Sequence, residues 1–190
     1  MTRIFLKGFF VICILLMTFA VGHSQDQVYR TNKGYISFRS DAPLEIISAS
    51  SNALEGIIDH EALTFAFVVP ITSFKGFNNG LQQQHFYENY LEATKYPEAT
   101  FSGKIIEFVD LTKPGTYSVR AKGQLHIHGR SQERIIKVEL ISDGLEINAT
   151  SRFLIPLIDH QIEIPKVVNQ KIAQEIKVNV RATLALTSRS

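Results

Sequence analysis

The stretch Glu175–Leu186, EIKVNVRATLAL, alternates without a break. Ile176, Val178, Val180, Ala182, Leu184 and Leu186 fall on one face, and Lys177, Asn179, Arg181 and Thr183 on the other. A period of two is what a strand with one buried and one solvated face requires, so this is a half-buried antiparallel strand. Thr116–His128 repeats the pattern, with Tyr117, Val119, Ala121, Gly123, Leu125 and Ile127 opposite Ser118, Arg120, Lys122, Gln124, His126 and His128. Its expected partner is Arg134–Ile141. After the Asp143-Gly144 turn a third run sets Leu145, Ile147, Ala149, Ser151 and Phe153 against Glu146, Asn148, Thr150 and Arg152. Upstream, Tyr35–Arg39, Ile46–Ser51, Leu54–Asp59, Leu63–Val69 and Ala99–Val109 read as further strands, for a total of eight or nine.

Between Phe74 and Pro97 the alternation stops. LQQQHFYENYLEA, Leu81–Ala93, contains good helix formers and no β-branched residue, and Leu81, Phe86, Tyr90 and Leu91 can share one stripe. A short helix packed on the sheet is expected there, ended by Lys95-Tyr96-Pro97. No internal repeat, linker or charge run divides the rest.

Strands with one apolar face must bury it, either between two sheets or inside a closed barrel. Several inward positions are small: Ala121, Gly123, Ala149, Ser151 and Ala182. An eight-stranded barrel is about wide enough to be filled by side chains or to hold one slender ligand. Small inward residues suit the ligand, or else they make room for facing aromatic rings.

At the other end of the chain, Arg3 and Lys7 precede the apolar run Phe9–Phe19, and Ala20, Gly22 and Ser24 follow. This is the layout of an export signal, and the run is shorter than the roughly 20 residues of a membrane span. Residues 1–24 are expected to be removed, leaving 25–190 as one domain of a periplasmic or secreted protein with no stable membrane insertion. The chain carries 20 Lys+Arg against 18 Asp+Glu; without Arg3 and Lys7 the two are equal. No basic stripe argues for nucleic acid. The single cysteine, Cys13, lies inside the signal, so cleavage leaves no thiol for disulfides, metal or nucleophilic catalysis.

The order of two further segments is more specific. HFYENYLEATKYPEATFSGKI, His85–Ile105, and GQLHIHGRSQE, Gly123–Glu133, followed by the alternating C-terminal strand, resemble the YceI-like family of exported lipocalin-like proteins associated with polyisoprenoid lipids. The opening from Leu44 to Glu61 departs from that family's commonest start. The resemblance implies an all-β fold, an eight-stranded antiparallel lipocalin-like β-barrel with a short helix between strands, around an apolar tunnel. It implies a non-catalytic role, with a long-chain isoprenoid or other apolar lipid as ligand and no further cofactor. The expected tunnel lining is Phe65, Phe67, Phe86, Tyr90, Phe101, Tyr117, Val119, Ala121, Leu125, Ile147, Ala149, Phe153, Val178, Val180 and Ala182. Burial of prenyl carbon supports such a site energetically: at roughly 0.8 kcal/mol per CH₂, three or four isoprene units exceed the ~8 kcal/mol of micromolar binding even after association costs. The sequence is compatible with a homodimer.

The competing reading is a metal-dependent, cupin-like barrel enzyme using His126, His128 and Glu133. A His-x-His pair on a strand shares one face, and two imidazoles with a carboxylate suit zinc, iron or nickel. Against it, Arg120 stands where the cupin pattern wants Gly, both histidines fall on the polar face, and His160 lacks a second motif around it. His85, beside Phe86, is either a packing imidazole or a polar contact at the tunnel mouth. No G-x-S-x-G, P-loop or G-x-G-x-x-G occurs.

Overall fold

A computed structural model describes residues 27–188. The expected signal segment, residues 1–24, lies outside the described residues. Eight strands, β1 Gln27–Asp41, β2 Ile46–Asp59, β3 Thr64–Pro70, β4 Glu98–Ile105, β5 Gly115–Ile127, β6 Arg130–Ser142, β7 Glu146–Pro156 and β8 Glu175–Ser188, pair in sequence order. All pairs are antiparallel, and β1 meets β8 to close the barrel.

The N-terminal half differs from the sequence reading. Ile46–Ser51 and Leu54–Asp59 are one strand, which settles the expected eight or nine at eight. β1 begins eight residues before Tyr35 and passes straight through the polar run Thr31-Asn32-Lys33. Both discrepancies have one cause. The β1–β2 register steps from Thr31↔Gly56 to Gly34↔Leu54 and then to Ile36↔Ser51. The extra residue therefore falls first in β1 and then in β2. Two compensating bulges shift the alternation twice, which breaks a period-two signal while the ladder continues.

The two ends of the barrel are built differently. At one end the Ile106–Pro114 loop folds under the strands and drives Leu111 into the interior, where it packs with fully buried Tyr29, Ile147 and Leu184. The Tyr29 hydroxyl lies 3.0 Å from the Leu111 carbonyl and 2.9 Å from that of Gly144, and Ser142 Oγ donates to Leu111 at 2.7 Å. These bonds tie the loop to β1, β6 and the β6–β7 turn, so this end is a solid plug. At the other end lie the β1–β2 turn, the segment between β3 and β4 with its helix α1 (Gly80–His85), and the long β7–β8 connection.

Helix α1 is capped by Asn79, whose Oδ1 accepts from the Gln82 N–H at 2.9 Å. It is shorter than the expected Leu81–Ala93. From Phe86 to Tyr90 the chain makes a π-helical turn, with Leu91 N–H donating to Phe86 O at 3.0 Å.

Candidate functional site

Because the plug fills one end and only side chains line the other, the barrel encloses a cavity of about 490 Å³. That volume is in the range of small-molecule sites, ~300–1,000 Å³. Thirteen of the fifteen expected residues line it: Phe65 and Phe67 from β3, Phe86 and Tyr90 from the π turn, Phe101 from β4, Val119, Ala121 and Leu125 from β5, Ala149 and Phe153 from β7, and Val178, Val180 and Ala182 from β8.

Tyr117 and Ile147 do not line it. Tyr117 obeys the inward alternation, but it sits so near the plugged end that its hydroxyl is taken up by the carbonyls of Asp110, at 3.0 Å, and Lys113, at 2.9 Å. Ile147 is fully buried inside the plug. Alternation fixes the face of a strand, not the height along the barrel, and these two are inward at the wrong height. Gly123 is also absent from the lining. It faces Gly103 across β4–β5, and a Cβ on Gly123 would stand 2.2 Å from Ser102 O. Its smallness serves close strand contact rather than cavity space.

Sequence reasoning missed an aromatic cluster at the open half. Phe38 of β1 stacks on Phe86, with centroids 5.1 Å apart and planes 16° apart, and Phe74 and Phe77 pack on the same ring at 5.7 and 5.1 Å. All four line the cavity. Phe38 was within reach of the alternation Ile36, Phe38, whereas Phe74 and Phe77 lie in a connection with no period to reveal them.

The π turn decides what the helical segment presents. Its lining residues are Leu81, Gln82, His85, Phe86, Tyr90 and Leu91. Plain α spacing from His85 and Phe86 would bring Asn89 and Tyr90 inward. One inserted residue carries Leu91 inward in place of Asn89, and Leu91 is buried while Asn89 is exposed.

Ionisable lining groups are few and gather at the mouth. Glu45, His85 and Lys171 line it there with Asn79 and Gln82. Gln82 Nε2 donates to Glu45 Oε1 at 2.5 Å. Deeper in, the Tyr90 hydroxyl is held above its usual pKa by burial.

The histidines do not converge. His126 Nδ1 meets Ser131 Oγ at 2.9 Å, and Glu133 pairs with Lys122 at 3.3 Å. His128 is not on the outward face: β5 ends at Ile127, and His128 and Gly129, at φ 51° and 71°, form the two-residue turn to β6. Its ring is thereby turned onto Glu92 Oε2, 2.7 Å from Nε2, and onto His160 O, 3.1 Å from Nδ1. This joins the end of the helical segment to the β5–β6 turn and to the single turn Leu157–His160. His160 is buried, its Nδ1 3.2 Å from Arg130 O, and desolvation holds its pKa below the ordinary imidazole value. Among the described residues no group of three His, Cys, Asp or Glu side chains could hold a metal ion.

A closed eight-stranded barrel with an apolar interior, plugged at one end and open at the other, is lipocalin-like in class. Residues 19–184 match the profile of the YceI-like domain, and the chain belongs to that family. Among solved structures it is similar to a polyisoprenoid-binding domain from Saccharophagus degradans implicated in plant cell wall breakdown, with a TM-score of 0.71, 15% identity, and coverage of 87% of this chain and 99% of that one. It is also similar to BcnA of Burkholderia cenocepacia (TM-score 0.67, 15% identity, 80% and 96% covered). A YceI protein of Campylobacter jejuni follows at TM-score 0.53, 18% identity, with 70% and 78% covered. No curated protein matches the chain.

Proposed function

We propose that this protein binds a long apolar lipid of the polyisoprenoid class inside its barrel, as a non-catalytic carrier or store outside the cytoplasm. The observation that carries the reading is the distribution of polarity. The cavity is lined mainly by apolar side chains, with the hydroxyls of Thr100, Thr150 and Ser151 among them, and Glu45, His85 and Lys171 are confined to its mouth, which suits a chain held inside with a polar head left at the rim. At about 30 Å³ per methylene-sized group, close to the share of a water molecule in liquid, the space holds roughly 16 heavy atoms, or about three isoprene units. The polyisoprenoid-binding domain of Saccharophagus degradans, of like fold, supports the choice of lipid class. The layout of Arg3, Lys7 and Phe9–Phe19 supports export.

Native mass spectrometry of protein purified from its own host tests this. A stoichiometric added mass that fragments as a prenyl lipid is expected, on a chain beginning between about His23 and Gln27. A bound metal with no lipid, or uptake of no fluorescent prenol by delipidated protein, sinks it.

A further inference from the structure

Three loops meet at the mouth of the cavity. Leu44 N–H of the β1–β2 turn donates to Gln170 O of the β7–β8 connection at 2.9 Å. On its other side the same turn accepts from Asn78 Nδ2 at Ile46 O, 2.9 Å, and from Gln82 at Glu45. Each loop carries a large apolar side chain out into solvent: Leu44 is 65% exposed, Leu81 61% and Val167 89%. Each is also a lining residue or the neighbour of one, since Glu45, Leu81 and Val168 all line the cavity. Single exposed apolar residues need no explanation, but three from separate loops around one apolar opening form a patch.

Two lysines stand beside the patch. Lys166 and Lys171 stand in the β7–β8 connection against Glu163. At the same end Asp41 is matched by two cations, Arg39 at 2.6 Å and Lys177 at 2.8 Å, while Glu45 accepts from the neutral Gln82 amide and keeps its charge. Apolar tips with Lys166 and Lys171 beside them fit the interface of an anionic bilayer, where side chains enter the acyl boundary and ammonium groups meet phosphates.

We infer that the open end is a membrane-docking surface: Leu44, Leu81 and Val167 dip into an anionic phospholipid bilayer, with Lys166 and Lys171 on the headgroups, so that the lipid passes between bilayer and barrel without crossing water. The inference rests on the proposed lipid-binding role, and it supplies what that role needs kinetically. A chain of three isoprene units leaving a bilayer through water exposes its whole apolar surface, whereas a mouth pressed onto the bilayer keeps that surface covered.

Flotation of the whole exported chain with phosphatidylcholine vesicles, with and without phosphatidylglycerol, tests it. Uptake of fluorescent prenol without vesicles is run in parallel. Wild-type protein should float with the anionic vesicles and lose most of that binding in high salt. The variant Leu44→Ser/Val167→Ser, at two exposed tips outside the cavity lining, should bind at least about tenfold more weakly. Lys166→Glu should lose at least about fivefold on anionic vesicles only. Vesicle-free prenol uptake should be unchanged in both, because none of Leu44, Lys166 and Val167 lines the cavity. Phe108, 95% exposed at the plugged end, is the control. If Phe108→Ser abolishes flotation while the mouth variants float, the docking face is the wrong one. If wild-type protein takes up prenol but never floats, the docking inference falls and the binding role stands. If the Ser variant changes only sedimentation mass, the patch joins two copies of the chain, and the inference also falls.

Discussion

The Gly103–Gly123 pair shows most directly how one hydrogen in place of a methyl shapes this barrel. The two residues are register partners, and a Cβ on either would enter the opposite backbone, at 2.1 Å from Lys122 O for Gly103 and 2.2 Å from Ser102 O for Gly123. Gly123→Ala should therefore cost about 3 kcal/mol or more by chemical denaturation, the range of clashes that backbone cannot relax. A loss below ~1 kcal/mol would mean that the strands part easily there. His160 makes a different prediction. Its folded pKa lies below the unfolded value of about 6.5, so the unfolded chain binds the proton first. The stability it contributes is present above about pH 6.5 and is lost as pH falls through the folded pKa. Denaturation midpoints of wild-type protein and His160→Gln, taken from pH 7 downward, should show the variant with the flatter slope just below pH 6.5. Parallel slopes would remove His160 as the source. Below about pH 4 a second loss is expected in both proteins, because Asp143, Asp110, Asp41 and Glu107 all titrate below their ordinary values. Asp143 does so because its carboxylate accepts the Glu146 and Leu145 N–H groups.

Among the elements, β5, β7 and β8 were legible from period two alone because they run unbulged from end to end, and their inward residues fall where alternation places them. β1 and β2 were read as fragments because the bulges around Asn32-Lys33 and Asn52-Ala53 invert the phase inside a continuous ladder. Tyr117 and Ile147 were assigned to the cavity because nothing in a strand's own sequence records the height at which Leu111, from a loop, will stop it. The helical segment was located correctly, but its stripe combined Tyr90 with Leu91, which no single helical period explains. The π turn reconciles them. If that turn exists to place Leu91, deleting Asn89 should be tolerated, since Leu91 then falls four residues after Phe86 and an ordinary α turn carries it inward. The deletion should cost less than about 1 kcal/mol and leave prenol uptake intact, whereas Leu91→Ala should cost about 2–3 kcal/mol as a buried truncation. A deletion as damaging as Leu91→Ala would mean that the extra residue has a role of its own.

Taken whole, the molecule is a cup whose depth is set by the plug, and that depth makes a quantitative claim about chain length. From the mouth at Glu45 and Lys171 to the floor at Val119, Ala121, Ala149 and Ala182, the apolar space is about 490 Å³. Each isoprene unit that enters contributes up to about 3–4 kcal/mol before ordering costs, so affinity should rise steeply, at least about tenfold per unit, while units still find room inside. Once roughly three are housed, further units must lie outside the mouth, and affinity should level off within a unit or two. Titrating delipidated protein with prenols of two, three, four and nine units would resolve the break in slope. Ala182→Trp, at the floor, should move the break toward shorter chains while the protein still folds, because the ring occupies ligand space rather than packed core. The small inward residues could instead lie in a fully packed interior, and then the same substitution would overpack it, costing about 1–3 kcal/mol in stability with no change in the length at which binding saturates. Affinity that climbs steadily to nine units, in wild-type protein and variant alike, would mean that the barrel opens further than the cup between mouth and plug, and that the plug does not set the measure of what it holds.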